Sequence, residues 1–176
     1  MKPHLWIAEE KQVKVLWLLL IALVIVGGVL GKLSPPGGWL SLEFPVFADI
    51  SVDNSPGSWN PRERDAALFA LGLDFLFLII YPLFLAILCG RAGLNWNLSA
   101  GLARWSLFFS GLVVLAAPLD VLENIGLYLL IRGSTSDALQ WSISLVAALK
   151  WFIALAATLI ASCCIANKLW RDRSTT

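Results

Sequence analysis

The chain of 176 residues has a single histidine, His4, and it precedes every long apolar run. A haem held between membrane helices needs two axial histidines, and a histidine-rich metal site needs several, so both are set aside; no metal or cofactor is expected. There are only three cysteines, Cys89, Cys163 and Cys164, with no Cys-x-x-Cys. On the topology below all three fall near the cytoplasmic ends of spans, where thiols stay reduced. That removes a disulfide-exchange membrane enzyme, which needs a pair near the oxidising face. Charged residues make up 14% of the chain, against about 25% in a soluble domain. The net charge of +1 gives no basic surplus for nucleic acid.

Apolar residues are abundant instead. They reach 59% of the chain, with a mean hydropathy of +0.78. They are collected into long blocks, and a run of about 20 apolar residues crosses the hydrocarbon of a bilayer. The sequence therefore predicts one all-α integral membrane domain: an up-down bundle of four transmembrane helices over about 15–33, 66–88, 105–131 and 141–166. The first run reads as a retained span. Glu9 and Glu10 interrupt the basic stretch of Lys2, Lys11 and Lys14, and Gly31-Lys-Leu-Ser-Pro-Pro36 has no small-x-small cleavage site.

Basic residues set the orientation. With the N-terminus in the cytoplasm, Lys2, Lys11, Lys14, Arg91, Arg104, Lys168, Arg171 and Arg173 lie inside, and Lys32, Arg62, Arg64 and Arg132 outside. Eight against four predicts a multi-pass inner (plasma) membrane protein with both termini cytoplasmic. The connection 34–65 then faces outward. It is rich in Pro and Gly but also holds Trp39, Phe44, Phe47 and Trp59, so a partly ordered loop or a short interfacial helix is expected there. Asn60-Pro-Arg-Glu-Arg-Asp65 has the form of a capped helix start, with Pro61 in the first turn.

Against this background the charges inside the runs stand out. Asp74 lies in the second run, Asp120, Glu123 and Asn124 in the third, Lys150 in the fourth. At 1.5 Å per residue, Asp74, Glu123, Asn124 and Lys150 fall roughly 10–12 Å below the outer ends of their spans, and Asp120 roughly 16 Å. Three helices thus deliver polar groups to one layer. Asp120, Glu123, Asn124 and Leu127 follow i, i+3, i+4, i+7 and share one helix face. Tyr81, two turns from Asp74, and Tyr128, two turns above Asp120, are further candidates. Pro118 precedes the cluster and frees a backbone carbonyl, which can bend the helix there.

A carboxylate at the bilayer centre costs at least about 2.5 kcal/mol. Lys150 can neutralise one of the three acids; the other two must be protonated, hydrated or bound to a cation. The leading expectation is a site that binds a small cationic or amphipathic ligand, or couples protons. One alternative is a lipid-modifying membrane enzyme using a buried carboxyl as acid or base. A second is an accessory subunit of a membrane complex whose polar layer only fixes helix register. Partners expected are the lipid bilayer, a small-molecule or lipid ligand, and other subunits through small-residue helix faces. Those faces hold Gly27 and Gly31, Ser106 and Ser110, and Ala154, Ala157 and Ala161.

The pieces Leu42-Glu-Phe44, Leu73-Asp-Phe-Leu-Phe77 with Tyr81, Leu119-Asp-Val-Leu-Glu-Asn124 and Leu149-Lys150 resemble a family of bacterial four-span integral membrane proteins, over about 42–151. No activity is assigned to that family, so the resemblance implies the four-span fold and the choice of site residues. Burial of acids and an asparagine between helices is also similar to the four-span sterol-isomerase and sigma-two-receptor class. That similarity implies an amphipathic amine or sterol-like ligand. This chain departs from it in having no histidine within the spans, which puts isomerase chemistry in doubt.

Overall fold

The structure, a computed structural model, describes residues 9–46, 56–134 and 136–174. All regular structure among them is helical: α1 Glu9–Lys32, α2 Trp39–Glu43, α3 Pro61–Asn95, α4 Ala100–Leu112, a short 3₁₀ segment Val113–Leu115, α5 Ala116–Ile131 and α6 Asp137–Ser174. Four stretches are long and apolar enough to cross a membrane: Lys11–Lys32, Pro61–Asn95, Ala100–Ile131 and Asp137–Ser174. The helices outrun the expected spans because their polar ends continue the helical path. The 38 residues of α6 extend about 57 Å, against a hydrocarbon core of about 30 Å.

Local chemistry sets the helix limits. Asn60 and Glu63 form a reciprocal capping box at the start of α3. The Glu63 amide donates to Asn60 Oδ1 at 3.0 Å, and the Asn60 amide donates to Glu63 Oε2 at 2.9 Å. Pro61 occupies the first helical position, where its missing amide costs nothing. Pro118 cannot donate to the carbonyl of Val114, and Val114 lies in the 3₁₀ segment that separates α4 from α5. Hydroxyls on the exposed side of α6 turn back into their own helix. Ser142 donates to the Ala138 carbonyl at 2.7 Å and Thr158 to that of Ala154 at 2.8 Å, which satisfies them where lipid offers no partner.

The chain packs as two units. The first draws on the described parts of Met1–Ala22, Ile79–Ala117 and Trp151–Thr176. Small side chains let its helices approach closely. Ala86, Cys89, Ser106, Ser110, Ala157 and Cys164 are all fully buried. Ser106 and Ser110 on α4 donate to the Cys89 and Ala86 carbonyls of α3, each at 2.7 Å. The Cys89 thiol points at the Ala157 carbonyl of α6, 3.7 Å away. The serine face of α4 and much of the alanine face of α6 are therefore used within the chain.

The second unit draws on Leu23–Leu78 and Pro118–Lys150. Its apolar core contains Leu42 of α2, Trp59, Ala67 and Leu71 of α3, Leu127 and Ile131 of α5 and Ile143 of α6. The 34–65 connection contains the short helix α2, and it is held on both sides. Leu42 is 2% exposed, and the Trp39 indole donates to the Leu30 carbonyl at 3.3 Å. Gly37 and Gly38, both with φ near +80°, turn the chain into it. Phe47 lies outside the described residues.

Large apolar side chains cover the outer faces, among them Leu18, Phe69, Leu145, Phe152 and Leu159. In water such coverage would drive association; lipid is the solvent it suits. Among its described side chains α1 buries only Gln12, Val26 and Leu30. Of its paired glycines, Gly27 meets Phe77 of α3, while among the described residues nothing lies within 4 Å of where a Gly31 Cβ would sit.

Candidate functional site

The intramembrane charges come together inside the second unit. Asp120, Glu123 and Asn124 share a face of α5 and are 2%, 1% and 2% exposed. Lys150 of α6 reaches that face. Its Nζ lies 2.7 Å from Glu123 Oε2 and 3.1 Å from Asp120 Oδ1, the latter a hydrogen bond. On the opposite flank, Asn124 Nδ2 donates to Asp74 Oδ2 of α3 at 2.8 Å. Asp74 itself is half-buried.

A fourth acid joins them from the outer connection. Glu43, the last residue of α2, brings Oε1 to 3.8 Å from the same lysine nitrogen, with its side chain 12% exposed. Its position follows from Leu42 next to it, whose burial in the core fixes α2 and leaves the neighbouring side chain over Lys150. Nothing in span periodicity points to Glu43. The one signal is its place in Leu42-Glu-Phe44, a piece the sequence alone singles out.

Close packing lets the two charged faces meet. Gly126 is one turn along α5 from Glu123, and a Cβ there would fall 2.6 Å from Ile143 Cγ1. The absence of a side chain at Gly126 brings α5 against α6 one turn from the ion pairs. Each interaction is then strong because water is excluded.

The result is a lysine hub. Its ammonium has three protons to offer. Asp120 and Glu123 stand at contact distance, and Glu43 at 3.8 Å is held by charge alone. Glu123 Oε1 is buried and has no hydrogen-bond partner among the described residues. Four carboxylates therefore meet one ammonium and one amide. The acids converge on the lysine nitrogen; no group of three His, Cys, Asp or Glu side chains among the described residues has the geometry to hold a metal ion.

Tyr128 is placed differently from this group. Tyr128 is 46% exposed and makes no hydrogen bond to the cluster among the described residues. Eight residues carry a helix about 80° past two full turns, so Tyr128 is displaced around α5 from Asp120. Tyr81 is buried and belongs to the first unit. No protein-family model, curated protein or solved structure matches the chain.

Proposed function

We propose that the chain binds a small cationic or amphipathic ligand, or couples protons, at the Lys150 cluster. One observation supports this above the others. A single ammonium faces Glu43, Asp120 and Glu123 at 3.8, 3.1 and 2.7 Å, while Asp74 rests on an amide. Negative charge in excess of one lysine is costly in a low-dielectric layer, and a proton or an organic ammonium relieves it. Glu43, Asp74, Asp120 and Glu123 supply the charge. Asn124 orients Asp74, and Lys150 holds the other acids in register. Asp74 and Glu43, both only partly buried, are the acids an incoming cation can reach.

The placement we favour is a bacterial inner membrane, with both termini cytoplasmic and the 34–65 connection outside. The eight-to-four division of basic residues and the family resemblance support it.

A purely architectural role is the second reading. It draws on the deep burial of Asp120 and Glu123 in contact with Lys150, as in a dry, paired cluster. Thermal stability of the purified chain separates the two, measured across pH and against inorganic cations, alkylamines and lipids. Wild type, Asp120→Asn and Asp74→Asn are compared. A compound that stabilises wild type but neither variant supports ligand binding. If no compound or pH change distinguishes them, and each variant loses the same stability throughout, the ligand reading fails and the architectural one stands.

A further inference from the structure

The segments that build the first unit carry eight bases and three acids, whereas those of the second carry five bases and nine acids. Five of the eight bases in the first unit fall in two segments. Arg91 and Arg104 flank the connection between α3 and α4, and Lys168, Arg171 and Arg173 occupy the last two turns of α6. Asp172 is the one acid in that stretch of α6.

These two segments are tied together. Lys168 Nζ sits 5.2 Å over the ring of Trp96, a cation–π contact that fixes the side chain without cancelling its charge. Arg171 donates to the Asn97 carbonyl. Asn97 has the left-handed φ of 49°, which asparagine tolerates better than most residues. Both bases are therefore positioned while remaining cationic.

Exposed apolar side chains are interleaved with these bases in the sequence. Trp170 is 77% exposed, Leu169 56% and Trp105 55%. Cations beside exposed tryptophan and leucine, at the end of a membrane helix, match a molecule with an anionic head and an acyl tail. A soluble anion would use the cations alone. We propose that the α3–α4 connection and the C-terminal turns of α6 form a headgroup site for anionic phospholipid. The site is independent of the Lys150 cluster and of any ligand there.

The test uses the full chain in neutral detergent. It is titrated with phosphatidylglycerol, with phosphatidylcholine of the same acyl chains, and with soluble glycerol phosphate, and bound molecules are counted by native mass spectrometry. Phosphatidylglycerol is expected to bind in preference to the other two, and less tightly as salt rises. Lys168→Gln with Arg171→Gln weakens that binding by about fivefold or more, from the contribution of each base near an anionic surface. Lys168→Arg with Arg171→Lys retains it. Arg62→Gln with Arg132→Gln, which removes two exposed charges from the second unit, leaves it unchanged. Circular dichroism verifies that each variant keeps its helix content; if the glutamine pair does not, Arg104→Gln replaces it. The proposal is overturned if phosphatidylcholine or glycerol phosphate binds as well as phosphatidylglycerol, or if the two glutamine pairs lose binding equally.

Discussion

Gly126 and Ile143 are packed so closely that a methyl group on the glycine would lie 2.6 Å from Ile143 Cγ1. That distance decides whether α5 and α6 can bring Glu123 and Lys150 into contact. Gly126→Ala is expected to cost about 1–3 kcal/mol, the usual penalty of overpacking. Pairing it with Ile143→Ala tests the cause. The double variant should be more stable than the sum of the single losses, because the shortened side chain makes room. Additive losses in a thermal or chemical unfolding cycle would place the strain elsewhere.

Lys150 serves three acids at once, so its removal is costlier than that of any one of them. Lys150→Met keeps the length and strands Asp120 and Glu123 without a cation. Breaking a buried pair in this way costs about 3–5 kcal/mol. Neutralising the same two acids in Lys150→Met/Asp120→Asn/Glu123→Gln should restore most of the stability. Yield of folded protein and its melting temperature report both results.

Asn124 and Asp74 form a separate pair across α5 and α3. Coupling between polar groups inside membranes averages about 0.6 kcal/mol, whereas hydrogen bonds to charged groups reach about 1.5–3 kcal/mol. A double-mutant cycle on Asp74→Ala and Asn124→Ala is expected in the upper range if Asp74 is ionised. A value near the membrane average indicates a neutral acid.

The outer connection is fixed by Leu42 more than by Glu43. Leu42→Ala removes a side chain that is 2% exposed and should cost about 2–5 kcal/mol. Glu43→Gln removes a contact at 3.8 Å and should cost about 1 kcal/mol or less, in the range of partly solvated pairs. Limited proteolysis within 34–60 should follow the same order.

Much of this was legible because bilayers penalise polarity. Spans announce themselves by length, and Asp74, Asp120, Glu123 and Lys150 stand out because each is expensive where it sits. Helical spacing correctly placed Asp120, Glu123 and Asn124 on one face, and Pro118 marked the interruption before α5. Glu43 was hidden. Spacing along a span cannot say where a 32-residue connection folds back, and the anchor beside it, Leu42, looks like any leucine. Gly126 was hidden too, since a glycine in a span shows its use only when the opposing helix is known. Tyr128 illustrates a different limit, because two turns is a looser spacing than a shared face.

Trp59 is 5% exposed, while Trp17, Trp105, Trp141, Trp151 and Trp170 are all at least 40% exposed. Those outer rings stand where water or acyl chains can reach them. Trp59 instead packs with Leu42 and Ile143, shielded from both. The protein thus carries its own optical gauge of the outer connection. With Trp59 kept as the single tryptophan, emission that survives aqueous quenchers and brominated lipid alike reports a seated segment, and its loss would signal that the segment over Lys150 had lifted.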